Sequence, residues 1–384
     1  MAFLLVIIII LAAAYLMGNL AQLIKLPAVI GQLLAGIIIG PGVLNWVQSS
    51  SSIQHLADLG VICLMFLAGL NSNLDLLKRY LTPSLTIAVL GITMPMLFIT
   101  WLGLMIQWPL KDALFLGVIF SATSVSITVA VLSELGKLNG RIGTIILGAA
   151  VADDVLTVIL LGLVVTFTGE RLNGQITAGL NPGLILLMQV SYFIVIYLVM
   201  KVGLNQLFRF IQRFKFAYAN ATVALLIGLT FALIAELIGL SAITGAFFAG
   251  LIISRTKVKK SLNRQISALT YLLLVPIFFI SIGLAMKWNG IIDQWPLFLA
   301  LTGLAIVTKL VGAGLGSKLF GFNWTDSLII GAGMVSRGEV ALIVAQIVFA
   351  NQLLNVDQYS AIVGAIIVTT VLSPLIIKLS YSIK

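Results

Sequence analysis

One cysteine and one histidine occur in 384 residues, and only 9% of the residues are charged. The lone Cys63, inside an apolar run, excludes a disulfide framework and a thiolate metal centre. His55 sits at a loop-to-helix start and reads as an ordinary interfacial residue. Soluble proteins carry about 25% charged residues. The scarcity of charge, beside 61% hydrophobic residues, therefore excludes a water-facing surface over most of the chain. Acids are the rarer sign, 12 against 22 Lys and Arg, giving a net charge of +10. The cations form short loop clusters with no aromatic platform among them, a pattern of membrane flanks and not of a nucleic-acid surface.

What is present is a succession of apolar stretches, the signature of an all-α polytopic membrane protein. Thirteen spans are expected, near residues 2–24, 27–44, 55–70, 84–107, 112–134, 141–166, 181–208, 217–237, 240–254, 267–286, 294–317, 327–349 and 357–377. The opening MAFLLVIIIILAAAYLMGNL lacks a basic n-region and a small-residue cleavage site, so it is expected to be the first span and not a signal peptide. Alternating the loops puts the cations from Lys25, Arg79 and Arg141 through Arg264 and Lys318 to Lys384 on one side. Only Lys111, Arg171 and Lys287 fall opposite. By the positive-inside rule the N-terminus is outside and the C-terminus cytoplasmic.

The chain also repeats itself. LPAVIGQLLAGIII (Leu26 to Ile39) aligns with LSAITGAFFAGLII (Leu240 to Ile253) at a spacing of 214 residues, and Gly69-Leu70 aligns with Gly283-Leu284. Residues 1–180 (spans 1–6) form one repeat and 217–384 (spans 8–13) the other, with span 7 in 181–216 as linker. An odd number of helices between equivalent positions gives the repeats opposite orientations, an architecture of transporters with sites at the membrane midplane.

The halves differ where chemistry is expected. Asp153 and Asp154, in GAAVADDVLTVILLGL, stand where the second half has Thr369 and Thr370, and Lys309 stands where the first half has Pro95. The aspartates lie roughly 18 to 20 Å from either end of their span, the depth at which ionisable groups cost several kcal/mol and face a cavity or a partner. An ion pair across the repeats offsets part of that cost. Neighbours on a helix point about 100° apart, so one aspartate can face Lys309 while the other faces a cavity. Snorkelling of Lys309 toward the interface near Lys318 is the alternative. Span 5 holds Ser121, Thr123, Ser124, Ser126 and Thr128, and span 12 is interrupted at Ser336, Arg337, Gly338 and Glu339. Both read as discontinuous helices. Thr123 and Ser124 are candidate neutral ligands of a hard monovalent cation, or simply small residues for close helix packing. Arg337 and Glu339 are candidates to compensate the broken helix ends or each other.

Together the ADD motif, the ATSVSIT interruption, Lys309 and GMVSRGEVALIVA resemble the monovalent cation/proton antiporter superfamily, most of all its NapA-type sodium/proton antiporters. The resemblance implies an NhaA-like antiporter fold with two crossing discontinuous helices. It also implies a mobile core domain, mainly 84–166 and 294–377, a panel domain that forms a homodimer, and a bacterial plasma membrane. It assigns Asp154 as cation ligand and proton carrier, and Asp153 as the partner of Lys309. The cargo is Na⁺ (or Li⁺) against H⁺, with Na⁺ held by Asp154 and Asp153 and Lys309 as a second proton carrier. The implied protein is neither an enzyme nor a cofactor binder. The chain stops at Lys384, without the soluble tail of potassium-efflux relatives, so nucleotide-binding regulation is not expected. It also lacks the Asn that precedes the essential Asp in electroneutral relatives, so the expected exchange is electrogenic. A K⁺/H⁺ antiporter is the nearest alternative, because carboxylates and hydroxyls alone do not select among monovalent ions. A channel or an ion-sensing receptor lies further off.

Overall fold

The computed structural model describes residues 3–168, 182–202, 219–256, 258–286 and 289–383; within its helices a few side chains, Glu339 among them, lie outside the description. Every element among these residues is a helix. The first are α1 (Phe3–Leu23), α2 (Ala28–Ile39), α3 (Ser51–Asn71), α4 (Leu74–Arg79) and α5 (Leu81–Met105). Two half-helices follow, α6 (Leu110–Ser121) and α7 (Val125–Glu134), then α8 (Arg141–Thr168) and α9 (Pro182–Val202). α10 (Ala219–Leu237), α11 (Ala242–Ile253) and α12 (Lys259–Leu269) come next, and α12 passes through one π-helical turn into α13 (Val275–Leu284). A short α14 (Asn289–Asp293) precedes α15 (Trp295–Lys318), the half-helices α16 (Trp324–Gly333) and α17 (Glu339–Ala350), and α18 (Val356–Ser382).

Among the described residues nine helical stretches are long and apolar enough to cross a membrane, with α6–α7 and α12–α13 each counted as one. Four shorter apolar helices accompany them: Ala28–Ile39, Leu187–Ile196, Ala242–Ile253 and Val340–Phe349. In an apolar solvent burial does not sort residues by polarity, so enclosure is read by element. In the most apolar part of the α6–α7 stretch 94% of the residues are buried, which puts it at the centre, whereas in α1 only 17% are, and Leu4, Tyr15 and Leu23 point outward.

Several boundaries differ from those read off hydropathy. α2 ends at Ile39 and not near 44, because Gly40 leaves the helix in an extended conformation and Pro41 follows. The tenth stretch begins at Lys259 and not at 267: Lys259–Leu269 is polar on average, but it buries Leu262 and Ile266 on one face and so coils as an amphipathic helix. The Asn355 side chain accepts from Gln358 N and the Gln358 side chain accepts from Asn355 N, a capping box that starts α18.

Close helix contacts depend on glycine and recur along the chain. A Cβ on Gly36 would strike Ile280 O and one on Gly283 would strike Leu33 O. Displaced by 214 residues with partners exchanged, Gly250 lies against Phe66 O and Gly69 against Phe247 O. Turns recur at the same spacing: left-handed φ values occur at Lys25 (60°) and Gly239 (78°), and at Gln107 (63°) and Gly321 (75°).

Because the obstacle at Gly250 is backbone, Gly250→Val is expected to cost at least about 1 to 3 kcal/mol. Gly303, which has nothing within 4 Å of a built Cβ, is the control. Thermal melting in detergent should fall for Gly250→Val and stay unchanged or rise for Gly303→Ala. Equal melting of the two would contradict the packing.

Candidate functional site

The centre of the molecule is a crossing of two non-helical segments. α6 ends at Ser121 and α7 begins at Val125, with Ala122 and Ser124 extended between them. α16 ends at Gly333 and α17 begins at Glu339. Polar groups freed by the breaks must be satisfied at membrane depth, and here each break satisfies the other. Ser124 N donates to Ser336 O at 2.9 Å, and the Ser336 hydroxyl donates back to Ser124 O at 2.9 Å. The Thr128 hydroxyl donates to Gly333 O at 2.8 Å, and Thr123 Oγ1 lies 3.4 Å from Met334 O. Ser124 Oγ pairs with Ser126 Oγ at 3.0 Å. Gly338 permits the crossing, since a Cβ there would lie 2.5 Å from Ser124 Oγ. Thr123 and Ser124 are thus brought to the crossing, where their described contacts stitch one break to the other.

Beside the crossing α8 carries both aspartates, Asp153 at 0% and Asp154 at 4% exposure. They face different helices. Lys309 of α15, also fully buried, donates from Nζ to Asp153 Oδ1 at 2.7 Å and to Ser121 O, the last carbonyl of α6, at 2.7 Å. Lys309 therefore stays at mid-depth and does not snorkel. Its helix lies close to α5 because Gly312 sits against Leu90 O and Gly316 against Ile87. Asp154 turns away, and its Oδ2 accepts from the Thr244 hydroxyl of α11 at 2.9 Å.

Arg337 is fully buried in the second break, where its Nη2 donates to Ala305 O, one turn before Lys309 on α15, at 3.0 Å. Its Nε and Nη1 have no hydrogen-bond partner among the described residues, nor does Asp153 Oδ2. The Glu339 side chain is outside the description, so its pairing with Arg337 is too. Thr370, which stands where the first half has Asp154, donates to Arg337 O and so secures the second break. Among the described residues no group of three or more His, Cys, Asp or Glu converges on one point.

Sequence reasoning did not single out Thr244. Its signal was the one hydroxyl inside AITGAFFAGLII, at the position where the first half has Ile30. Nothing in the sequence pointed to the carbonyls of Ser121 and Ala305, since backbone ligands carry no residue signature.

The family described as "Sodium/hydrogen exchanger, transmembrane" matches residues 6–379. The chain is 41% identical over 381 residues to a Na(+)/H(+) antiporter of Enterococcus hirae, covering 98% of each chain. The chain belongs to the sodium/hydrogen exchanger family. This is a family of transporters and not of enzymes. A second member, the Na(+)/H(+)-K(+) antiporter GerN of Bacillus cereus, is 40% identical over 375 residues, covering 98% of this chain and 95% of the relative. Among solved structures, the sodium proton antiporter MjNhaP1 of Methanocaldococcus jannaschii superposes with a TM-score of 0.67 at 16% identity, covering 98% and 95% of the two chains. That likeness concerns the fold.

Removing one partner of a fully buried ion pair leaves an uncompensated charge and costs about 3 to 5 kcal/mol, whereas replacing both by neutral groups is often nearly neutral. Lys309→Met is expected to lower the melting temperature in detergent, and Asp153→Asn combined with Lys309→Met to recover most of the loss. A double variant no more stable than Lys309→Met alone would show that the two charges do not stabilise each other.

Proposed function

We propose that this exchanger couples Na⁺ to H⁺ by alternating access, with Asp154 as the seat that holds either a cation or a proton. The observation that carries the reading is the different company of two adjacent buried carboxylates: Asp153 faces a lysine, while Asp154 faces the neutral hydroxyl of Thr244. The Thr244 hydroxyl orients the Asp154 carboxylate without itself neutralising it. Na⁺ arriving at Asp154 recruits Asp153 as a second ligand and breaks its pair with Lys309. The released lysine, with no counter-charge in a dry site, gives up a proton beside the one displaced from Asp154. The cycle then moves net charge and draws about 2.3 kcal/mol per charge from a 100 mV potential. Thr123 and Ser124 hold the helix breaks within reach of the ion. Arg337, with Glu339, balances the exposed carbonyl ends of the half-helices.

The proposed architecture has thirteen crossings in two inverted repeats, 1–180 and 217–384, joined by a linker helix in 181–216. The recurrent glycine contacts and left-handed turns 214 residues apart support it. The core domain comprises mainly 84–166 and 294–377, and the remaining helices form the panel, through which two copies pair. A cytoplasmic C-terminus is supported by the gathering of cations at one end. Arg141 stacks over Tyr80 and Phe322, Arg255 pairs with Asp75 at 2.9 Å, and Lys318 donates to Phe322 O. K⁺/H⁺ exchange is a second reading, favoured by the name of the GerN relative and by a site built of carboxylates and hydroxyls that do not select among monovalent ions.

In proteoliposomes, Asp154→Asn is expected to abolish Na⁺-driven proton flux. Retention of wild-type flux would remove Asp154 from the carrier role. Na⁺ and Li⁺ should dissipate an imposed pH gradient in the wild type, and dissipation by K⁺ alone would favour the second reading.

A further inference from the structure

The buried face of α9 holds a polar group that the exchange described above does not use. Gln189 is 1% exposed, and neither its Oε1 nor its Nε2 has a hydrogen-bond partner among the described residues. A primary amide in an apolar interior with nothing bonded to either end costs several kcal/mol. Its sequence neighbourhood, LLMQVSYF, would accept Leu or Met at this position without any such cost.

The register of α9 shows what Gln189 is near. Tyr192, Phe193 and Ile196 lie three, four and seven residues further along, on the same face of the helix. That face packs on α10, α11 and α8. The Tyr192 hydroxyl donates to Phe231 O at 3.0 Å, Phe193 meets Phe248 edge-on with ring centroids 5.2 Å apart, and Val155 of α8 joins the same cluster. In the proposed succession of crossings α9 and α11 are separated by α10 alone and so run in the same direction, with Ile196 and Ile252, one turn beyond Phe193 and Phe248, in the same cluster. One turn back from the Phe193–Phe248 contact on the two parallel helices are Gln189 and Thr244. Thr244 holds Asp154, and Val155, packed in the same cluster, is the next residue of α8. The unsatisfied amide therefore lies at the level of the Asp154–Thr244 bond, on the face turned toward it.

We propose that Gln189 supplies a neutral amide oxygen to the monovalent cation held at Asp154, completing from the linker helix a ligand set otherwise drawn from α8 and α11. The proposal rests on the reading of Asp154 as the cation site. Hard monovalent cations take oxygen ligands, and a neutral oxygen adds coordination without adding charge to a site that already contains two carboxylates. The amide also explains its own burial, since the cation meets its oxygen and the ion's remaining water meets its NH₂ group. Because α9, like α11, lies outside the proposed core, a cation bridging Asp154 and Gln189 adds a second tie between core and panel to the Thr244 bond while the ion is present.

The test is Na⁺-dependent proton flux of the full chain in proteoliposomes over a range of Na⁺ concentrations, for wild type, Gln189→Met, Gln189→Glu and Asp154→Asn. Gln189→Met keeps the shape and removes the oxygen. It is expected to raise the half-maximal Na⁺ concentration about tenfold with little change in maximal rate, the equivalent of one ligand worth about 1.4 kcal/mol. Gln189→Glu keeps an oxygen at the same reach but adds a titratable carboxylate, so its half-maximal Na⁺ concentration should lie at least about threefold below that of Gln189→Met and depend more steeply on pH than in wild type. If Gln189→Met does not reconstitute, Gln189→Ala is read in the same way. The rise in melting temperature on adding Na⁺ in detergent gives a second readout, expected to shrink in Gln189→Met and to persist in Gln189→Glu. An unchanged half-maximal Na⁺ concentration in Gln189→Met, with Asp154→Asn inactive, would overturn the proposal and leave the Asp154 reading standing. Activity in Asp154→Asn would overturn that reading itself.

Discussion

Two carboxylates side by side in the middle of a bilayer are the constraint to which the rest of this structure answers. Each carries a desolvation penalty of several kcal/mol if it stays charged and unpartnered. Asp153 is compensated by Lys309, which reaches it from α15 because Gly312 and Gly316 let that helix lie against α5. Lys309 needs a further acceptor and finds it in Ser121 O, which is available because α6 stops there. The helix breaks follow from the same requirement. Backbone groups at membrane depth are tolerated where protein satisfies them, and the crossing of the Ser124 and Ser336 segments does so reciprocally.

Much of this was legible in the sequence because the chain says things twice. The alignment of Leu26–Ile39 with Leu240–Ile253 set the two halves in register. Within that register the acids of one half and the lysine of the other stood out against Thr369, Thr370 and Pro95. That one aspartate meets Lys309 could be argued from those differences; the choice of Asp153 came from the family resemblance, and the helix interruptions came from the polar runs of spans 5 and 12. Thr244, Gln189 and the carbonyls of Ser121 and Ala305 could not. A single hydroxyl or amide in an apolar run acquires meaning only when neighbouring helices show what it faces, and a carbonyl is common to every residue. Helix ends were missed where local chemistry overrides hydropathy, at Gly40-Pro41 and along the amphipathic turns after Lys259.

The arrangement divides labour within one dipeptide. Asp153 belongs to a buried ion pair that ties α8 to α15, and Asp154 belongs to the boundary between α8 and α11. On the proposed reading the first stores a proton on its lysine partner and the second exchanges ion for proton. Membership in the sodium/hydrogen exchanger family gives the class of reaction. On that same reading a single cation affects two titratable partners: it competes with the proton of Asp154 directly, and it reaches Lys309 by competing for Asp153.

The most direct test of that account is the number of protons released when Na⁺ binds the purified protein in weakly buffered detergent solution. Competition at Asp154 together with rupture of the Asp153–Lys309 pair predicts release of about two protons per Na⁺ bound, one from each partner. Release of a single proton, unchanged when Lys309 is replaced by Met in the Asp153→Asn background, would contradict it.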